Sequence, residues 1–449
     1  MYETKTIKEK LKLFAVILIP ILITQLSMYA MNFFDTVMSG NAGTEQLAGV
    51  AIGSSLWVPI FTGINGVLLA LSPIVAQMVG AKKEKEIPET VRQGLLLSIA
   101  IAVVVAIVGF FLLDPILIRM DLEQEVRHVA KYYLIALGVG IVPLFVFNLL
   151  RSFMDALGQT RISMFIILIA LPLNILFNYI FIFGKFGLPA LGGIGAGLAS
   201  ALTYWISSGI AIWIVVKIRP FSIYSIFKDW KRPSLSYWWE QLRIGVPMGF
   251  AIFFETSIFA AVTLMMSVYD TNTIAAHQAA INFASFLYMI PLSIAMALTI
   301  VVGFEVGSKR YRHAQIYTYM GITMGVVIAF LCGFILYTFD ETVARLYTNN
   351  PEVVKLTTQF IFYAIFFQFA DAIGAPLQGA LRGYKDVNIT LIMALVSYWI
   401  IGLPSGWIFA NYTDFGPFGY WMGIIFGLSA GAITLFFRLL ALQKYYLRL

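Results

Sequence analysis

Charge is scarce in this sequence. Asp, Glu, Lys and Arg supply 12% of its 449 residues, where soluble domains carry about 25%. That is too little to keep a globule of this size in water. Cysteine is nearly absent, and with Cys332 alone, intrachain disulfides and a dithiol metal clip are excluded. His128, His277 and His313 are the only histidines, too scattered for a histidine metal centre. The glycine-rich run GGIGAG at 192–197 has no strand before it, which removes the dinucleotide-binding reading. No nucleophile–base or metal constellation supports an enzyme, and no cofactor is expected.

Apolar residues fill the chain instead. They make up 60% of it, with a mean hydropathy of +0.86, the composition of a polytopic membrane protein. About 20 helical residues cross a hydrocarbon core of about 30 Å. Twelve apolar runs meet that length, near 12–35, 44–71, 93–114, 130–150, 162–184, 193–216, 244–266, 276–303, 315–338, 357–380, 389–410 and 418–440. The predicted fold is all-α, with twelve transmembrane helices. The first run follows Lys5, Lys8, Lys10 and Lys12 as in a signal peptide. It is too long and lacks a small-residue cleavage site, so it reads as a retained helix. Of the 30 Lys and Arg, only Arg119, Arg127, Lys131, Lys185, Arg345 and Lys355 leave the alternate loops and ends where the others gather. The positive-inside rule then predicts that both termini are cytoplasmic. Basic residues placed in loops between apolar runs make the net charge of +7 no argument for nucleic acid.

The longest polar connection, 217–243, separates residues 1–216 from 244–449, six runs on each side. The halves are alike. SPIVAQMVGAKK in the first corresponds to TIVVGFEVGSKR in the second, which aligns Gly80 with Gly307. The same spacing aligns Pro20 with Pro247. Gly158 of LGQTR pairs with Gly383 of RGYKD at a slightly shorter spacing. Two six-helix bundles running in the same direction are expected, related by a pseudo-two-fold axis along the membrane normal. Such a design carries a cavity between the bundles and opens it alternately to each side.

Polar residues inside the runs mark candidate sites. Glu255 lies within Ile244–Met266 with no basic residue in that stretch. An ionised group there costs at least about 2.5 kcal/mol, so it faces a bundle interior or a watery cavity. Asp371 in the tenth run and Asp35 at the end of the first are its candidate partners. Helical spacing groups Gln25 and Asn32 with Asp35, Asn174 with Asn178, Gln278 with Asn282 and Ser285, and Gln368 with Asp371 and Gln378. The competing account is helix-to-helix hydrogen bonding, worth about 0.6 kcal/mol each. Phe259 and Tyr288 are the aromatic candidates for holding an organic cation. By counting, Asp35 sits near the outer end of its helix, where a hydrated role stays open. Asp114, Asp155, Asp270 and Glu305 sit at predicted helix ends and are expected in water.

NFFDTVMSGNAGTEQLAGVAIGSS (32–55), the Gly158 loop, PMGFAIFFE (247–255), AAHQAAIN (275–282) and the doubled VG[AS]K[KR] resemble the multidrug and toxic compound extrusion (MATE) family over essentially the whole chain. Glu255 with Asp371 resembles its NorM-like branch. The fifth helix carries Asn174 and Asn178 and no acid, unlike the DinF-like branch, while Asp35 matches an acid both branches share. The resemblance implies a monomeric, cation-coupled antiporter in a bacterial inner membrane, exporting bulky organic cations against Na⁺ or H⁺. It also implies a Na⁺ site around Glu255 and Asp371. Two carboxylates with Gln278 or Asn282 would suit a hard cation, and a proton would need one carboxyl only. A lipid-linked saccharide flippase is the alternative; cationic residues inside its cavity would be expected, and no Lys or Arg falls in the middle of a predicted helix.

Overall fold

The structure, a computed structural model, describes residues 1–448, and its helices outrun the apolar stretches that form them. The order is α1 (Ile7–Ala42), α2 (Thr44–Leu68), α3 (Leu71–Gly80), α4 (Ile87–Arg119), α5 (Gln124–Gly138), α6 (Ile141–Ala156), α7 (Thr160–Phe183), α8 (Gly193–Lys217), α9 (Leu235–Met265), α10 (Thr271–Gly307), α11 (Tyr311–Arg345), α12 (Pro351–Gly383), α13 (Asn388–Ala394), α14 (Leu403–Tyr412) and α15 (Phe418–Tyr446). No strand occurs among the described residues. Eleven helical stretches are long and apolar enough to cross a membrane, and α5 with α6, bent by 51°, makes a twelfth if the pair is one span. The bend falls at Gly138–Gly140. A Cβ on Gly140 would come within 2.7 Å of Ala201 Cα on α8, so a side chain there would force α8 away.

Two compact units divide the chain. Unit 1 holds Ile19–Gly245 with Met1, and unit 2 holds Tyr2–Leu18 with residue 246 onward. Thus α1 changes unit after Leu18 and α9 after Gly245, each just ahead of a proline, Pro20 and Pro247. In unit 1, α8 packs against α5, α6 and α7, and α6 against α4, around a core that includes Val91, Phe145, Leu149, Phe153 and Phe221. The connection at 217–243 folds onto this unit. Arg92 donates to the carbonyls of Lys228 and Asp229, Gln93 to that of Arg232 (3.0 Å), and Gln241 to that of Thr90 (2.9 Å).

In unit 2, α12 is the central helix, packed against α10, α11 and α15. Its core includes Ile258, Val262, Phe360, Trp421 and Ile424. A π-helical stretch, Leu395–Gly402, precedes α14. Pro404 lacks the N–H and crowds the carbonyl four residues back, which accounts for the widened turn. Behind it, Gly419, Gly423, Gly427 and Gly431 recur once per helical turn along α15. A Cβ on Gly423 would lie 2.3 Å from Gly406 Cα, the close approach that small residues permit between membrane helices.

The repeat is more regular than the sequence spacing indicates. Lys82, Gly158, Lys309 and Lys385 all have left-handed backbones, with φ of 58°, 78°, 58° and 62°. Each follows a helix end closed by the same two bonds, such as Lys309 N–H to Val306 O (3.0 Å) and Arg310 N–H to Glu305 O (2.9 Å), the Schellman pattern. Lys82 is as far from Lys309 as Gly158 is from Lys385. Gly158 therefore corresponds to Lys385 and not to Gly383; the change of residue type at this position hid the register.

Candidate functional site

Each unit buries its own acid cluster. In unit 1 the carboxylate of Asp35 is reached from two helices: Asn178 Nδ2 on α7 donates to Oδ1 at 2.6 Å, and Ser200 Oγ on α8 to Oδ2 at 2.9 Å. Asn178 also reaches Asn174 Oδ1, one turn away, at 3.3 Å. Asp35, Asn174, Asn178 and Ser200 are all buried. Because α1 runs on to Ala42, Asp35 lies two turns inside the helix, and the hydrated helix-end role does not apply. Tyr133 and Tyr204 lie within electrostatic reach of it. Of the residues on the same predicted stripe, Gln25 is half-buried and Asn32 exposed.

Unit 2 gathers Glu255 from α9, Asp371, Gln378 and Arg382 from α12, Tyr288 from α10 and Tyr398 from the π-helical stretch. Tyr288 donates its hydroxyl to Glu255 Oε1 at 3.3 Å, and Arg382 donates to Gln378 Oε1 at 3.2 Å. The two carboxylates lie within Coulombic reach of each other, and Arg382 lies within reach of Glu255. Glu255, Asp371, Gln378, Arg382 and Tyr398 are 4–7% exposed. Bare carboxylates so deep cost several kcal/mol each, so the guanidinium is a necessary companion. Counted by formal charge, two acids and one arginine leave one negative charge.

The remaining predicted residues lie on the helices that build this cluster. Gln368 is buried one turn before Asp371. Phe259 is half-buried and packs edge-on against Phe367, with ring centroids 5.6 Å apart. Gln278 and Asn282 are exposed on α10. Beside Gln278 in the chain, His277 forms the middle of a polar link that the sequence did not suggest. Trp421 Nε1 donates to His277 Nδ1 at 3.0 Å, leaving Nε2 to donate to Thr263 Oγ1 at 3.2 Å. His277 is thus a neutral, fully paired core residue. Among the described residues no three His, Cys, Asp or Glu side chains converge as a metal site.

Three expectations are corrected. Asp155 is buried near Arg151, accepting from Ser163, and is not solvated. Glu305 is 1% exposed and ion-paired to Arg310 at 3.3 Å. Arg151 and Arg382 are buried within α6 and α12, so basic residues do enter the helical interior. Asp114 is exposed, as expected, and pairs with Lys131 at 2.8 Å. Ser200 and Tyr398 were missed. Ser200 lies on a stripe with Thr203, Ser207 and Ser208 that helical spacing could have exposed, whereas Tyr398 had no signal among 22 tyrosines.

Residues 20–180 and 247–408 each match the MatE family model. The chain is 64% identical over 444 residues to a protein of Oceanobacillus iheyensis described as a probable multidrug resistance protein NorM, with 99% of each covered. It is 58% identical to a protein of the same description from Halalkalibacterium halodurans, covering 99% of this chain and 97% of that one. A solved structure described as the outward-facing conformation of a multidrug resistance MATE family transporter overlays with a TM-score of 0.88 at 20% identity, over 99% of both chains. That last likeness is one of fold.

Proposed function

The chain belongs to the MatE family, and from that premise we propose that it is a multidrug exporter driven by an inward cation gradient. Organic cations of varied shape leave as Na⁺ or H⁺ enters, with no nucleotide or cofactor, through alternating access by a monomer in the bacterial inner membrane. The two basic ends of the chain face the cytoplasm in this reading. The observation that carries it is the cluster in unit 2: two buried carboxyl groups, Glu255 and Asp371, within reach of each other, with the single guanidinium of Arg382 within reach of Glu255, so that by formal charge one acid is left to be balanced. A monovalent cation balances that charge. So does a proton, and the two compete for the same place. Two ionised carboxylates at close range repel strongly where the dielectric is low, and either cation relieves the repulsion.

Coupling to the drug follows from Tyr288. Its hydroxyl is held by Glu255, and a cation drawn onto that carboxylate competes for the same oxygens. An organic cation resting against Tyr288 and Phe259 then loses an ordered aromatic wall, worth about 2 kcal/mol when desolvated. Any ligand-driven shift needs such a difference in affinity between two states. The flippase reading gains Arg382 as an interior cation, yet the Glu255 carboxylate within its reach would repel a phosphate, which favours the exporter. The test is efflux of a fluorescent organic cation from proteoliposomes under an imposed Na⁺ gradient, then under a proton gradient. Efflux driven by either supports the antiporter and names its ion; efflux that responds to neither removes it.

A further inference from the structure

At one end of unit 2, the turn between α10 and α11 and the tail of α15 border an open cleft of about 570 Å³ lined by Lys309, Arg310, Arg312, His313, Tyr311 and Tyr446. At about 30 Å³ per water, it has room for a headgroup. Its charge is one-sided. Arg310 is committed to Glu305 and Glu3, each at 3.3 Å, while Lys309 and Arg312 are exposed and have no ion pair among the described residues. His313 is neutral: Lys10 Nζ at 2.7 Å and Arg310 Nη2 at 2.8 Å both point at Nδ1, and because both are donors only, Nδ1 must accept. The rings of Tyr311 and Tyr446, 5.0 Å apart, wall the other side.

Lys309 also sets a variant that separates charge from backbone strain. Its φ of 58° is a backbone that glycine adopts freely and that costs a side-chain-bearing residue energy. The corresponding helix ends carry lysine at Lys82 and Lys385 and glycine at Gly158. Of these lysines, Lys309 borders the cleft.

We propose that this cleft holds the phosphate of an anionic phospholipid headgroup, gripped by Lys309 and Arg312 with Tyr311 and Tyr446 beside the glycerol. The end of the unit that carries Lys309, Arg310, Arg312 and Lys444 is the basic one, and anionic lipid in the facing leaflet attracts each such residue by about 1 kcal/mol. Basic pockets among membrane helices are suited to such headgroups. The proposal does not depend on the identity of the transported compound or of the coupling ion.

The test uses the full-length protein in nanodiscs of phosphatidylcholine, with phosphatidylglycerol titrated in and binding followed by native mass spectrometry and by the melting temperature. Wild type is expected to retain phosphatidylglycerol and to melt higher as it is added. Lys309→Gly with Arg312→Gln is expected to weaken retention roughly 30-fold, two surface cations' worth. In pure phosphatidylcholine this variant should melt no lower than wild type, because the strained backbone is relieved. Arg312→Lys keeps the charge and should keep the lipid. Undiminished retention by the double variant overturns the proposal. So does inorganic phosphate, in neutral discs, raising the melting temperature as much as phosphatidylglycerol does, since the site would then be one for free phosphate.

Discussion

Glu255 stands between two buried charges, within reach of Asp371 and of Arg382, so a change at either of those is felt at Glu255. Glu255→Gln and Asp371→Asn are each expected to abolish gradient-driven efflux. The double variant should be worse by no more than about twofold, because groups that act as a unit are not additive. Fold stability separates this from a packing role. Asp371→Asn leaves Glu255 and Arg382 together and removes a like charge beside Glu255, so its melting temperature should hold or rise. Arg382→Met strands the Glu255 carboxylate and should cost about 3–5 kcal/mol, read as a clear fall in melting temperature. Wild-type efflux in both acid variants would reduce the pair to packing groups. The sequence made these acids legible because a carboxylate in an apolar run is rare and expensive. Arg382 was not legible for the opposite reason: it stands next to Gly383 at a helix end and passes for a loop cation, although α12 carries it inside. Asp155 and Glu305 misled in the same way, since distance from the end of an apolar run does not report whether a neighbouring helix covers the side chain.

Among the elements, the twelve apolar runs all became helix, but their ends did not follow hydropathy. Polar residues extend α1 from the predicted 12–35 to Ile7–Ala42, which puts Asp35 inside the helix, where Asn178 of α7 and Ser200 of α8 reach it. The π-helical stretch and the bend between α5 and α6 depend on Pro404 and on Gly138 and Gly140, whose effect on a helix depends on what packs against them. Glycine contacts can be tested directly. Gly423→Ala places a methyl 2.3 Å from Gly406 Cα, so α14 and α15 must separate, and the melting temperature and folded yield should drop. Gly109→Ala is the control. Nothing lies within 4 Å of its Cβ, and it should be neutral or stabilising by about 0.5–1 kcal/mol through its helix preference. Equal effects of the two changes would show that the α14–α15 contact does not set stability.

For the whole chain, duplication is the governing fact. The unit changes after Leu18 and Gly245, the prolines at 20 and 247, and the left-handed pairs 82 with 309 and 158 with 385 all keep one common spacing. With α5 and α6 counted as one span, an even number of spans separates equivalent loops, and they are expected on the same side of the membrane. Basic residues give that side a sign. Cys332 is the only thiol, so Cys332→Ser supplies a background for single cysteines at Lys83, Arg312, Lys185 and Tyr412. A membrane-impermeant thiol reagent applied to intact cells is expected to label the cysteines at 185 and 412 and to spare those at 83 and 312, which should react only after the cells are opened. Labelling of 83 without 312 would break the repeat; labelling of both from outside would keep the repeat and invert the orientation. Either result would overturn the cytoplasmic placement of the basic loops, and the first would also mean that one of the two halves has an odd number of spans, with α5 and α6 the pair to re-examine.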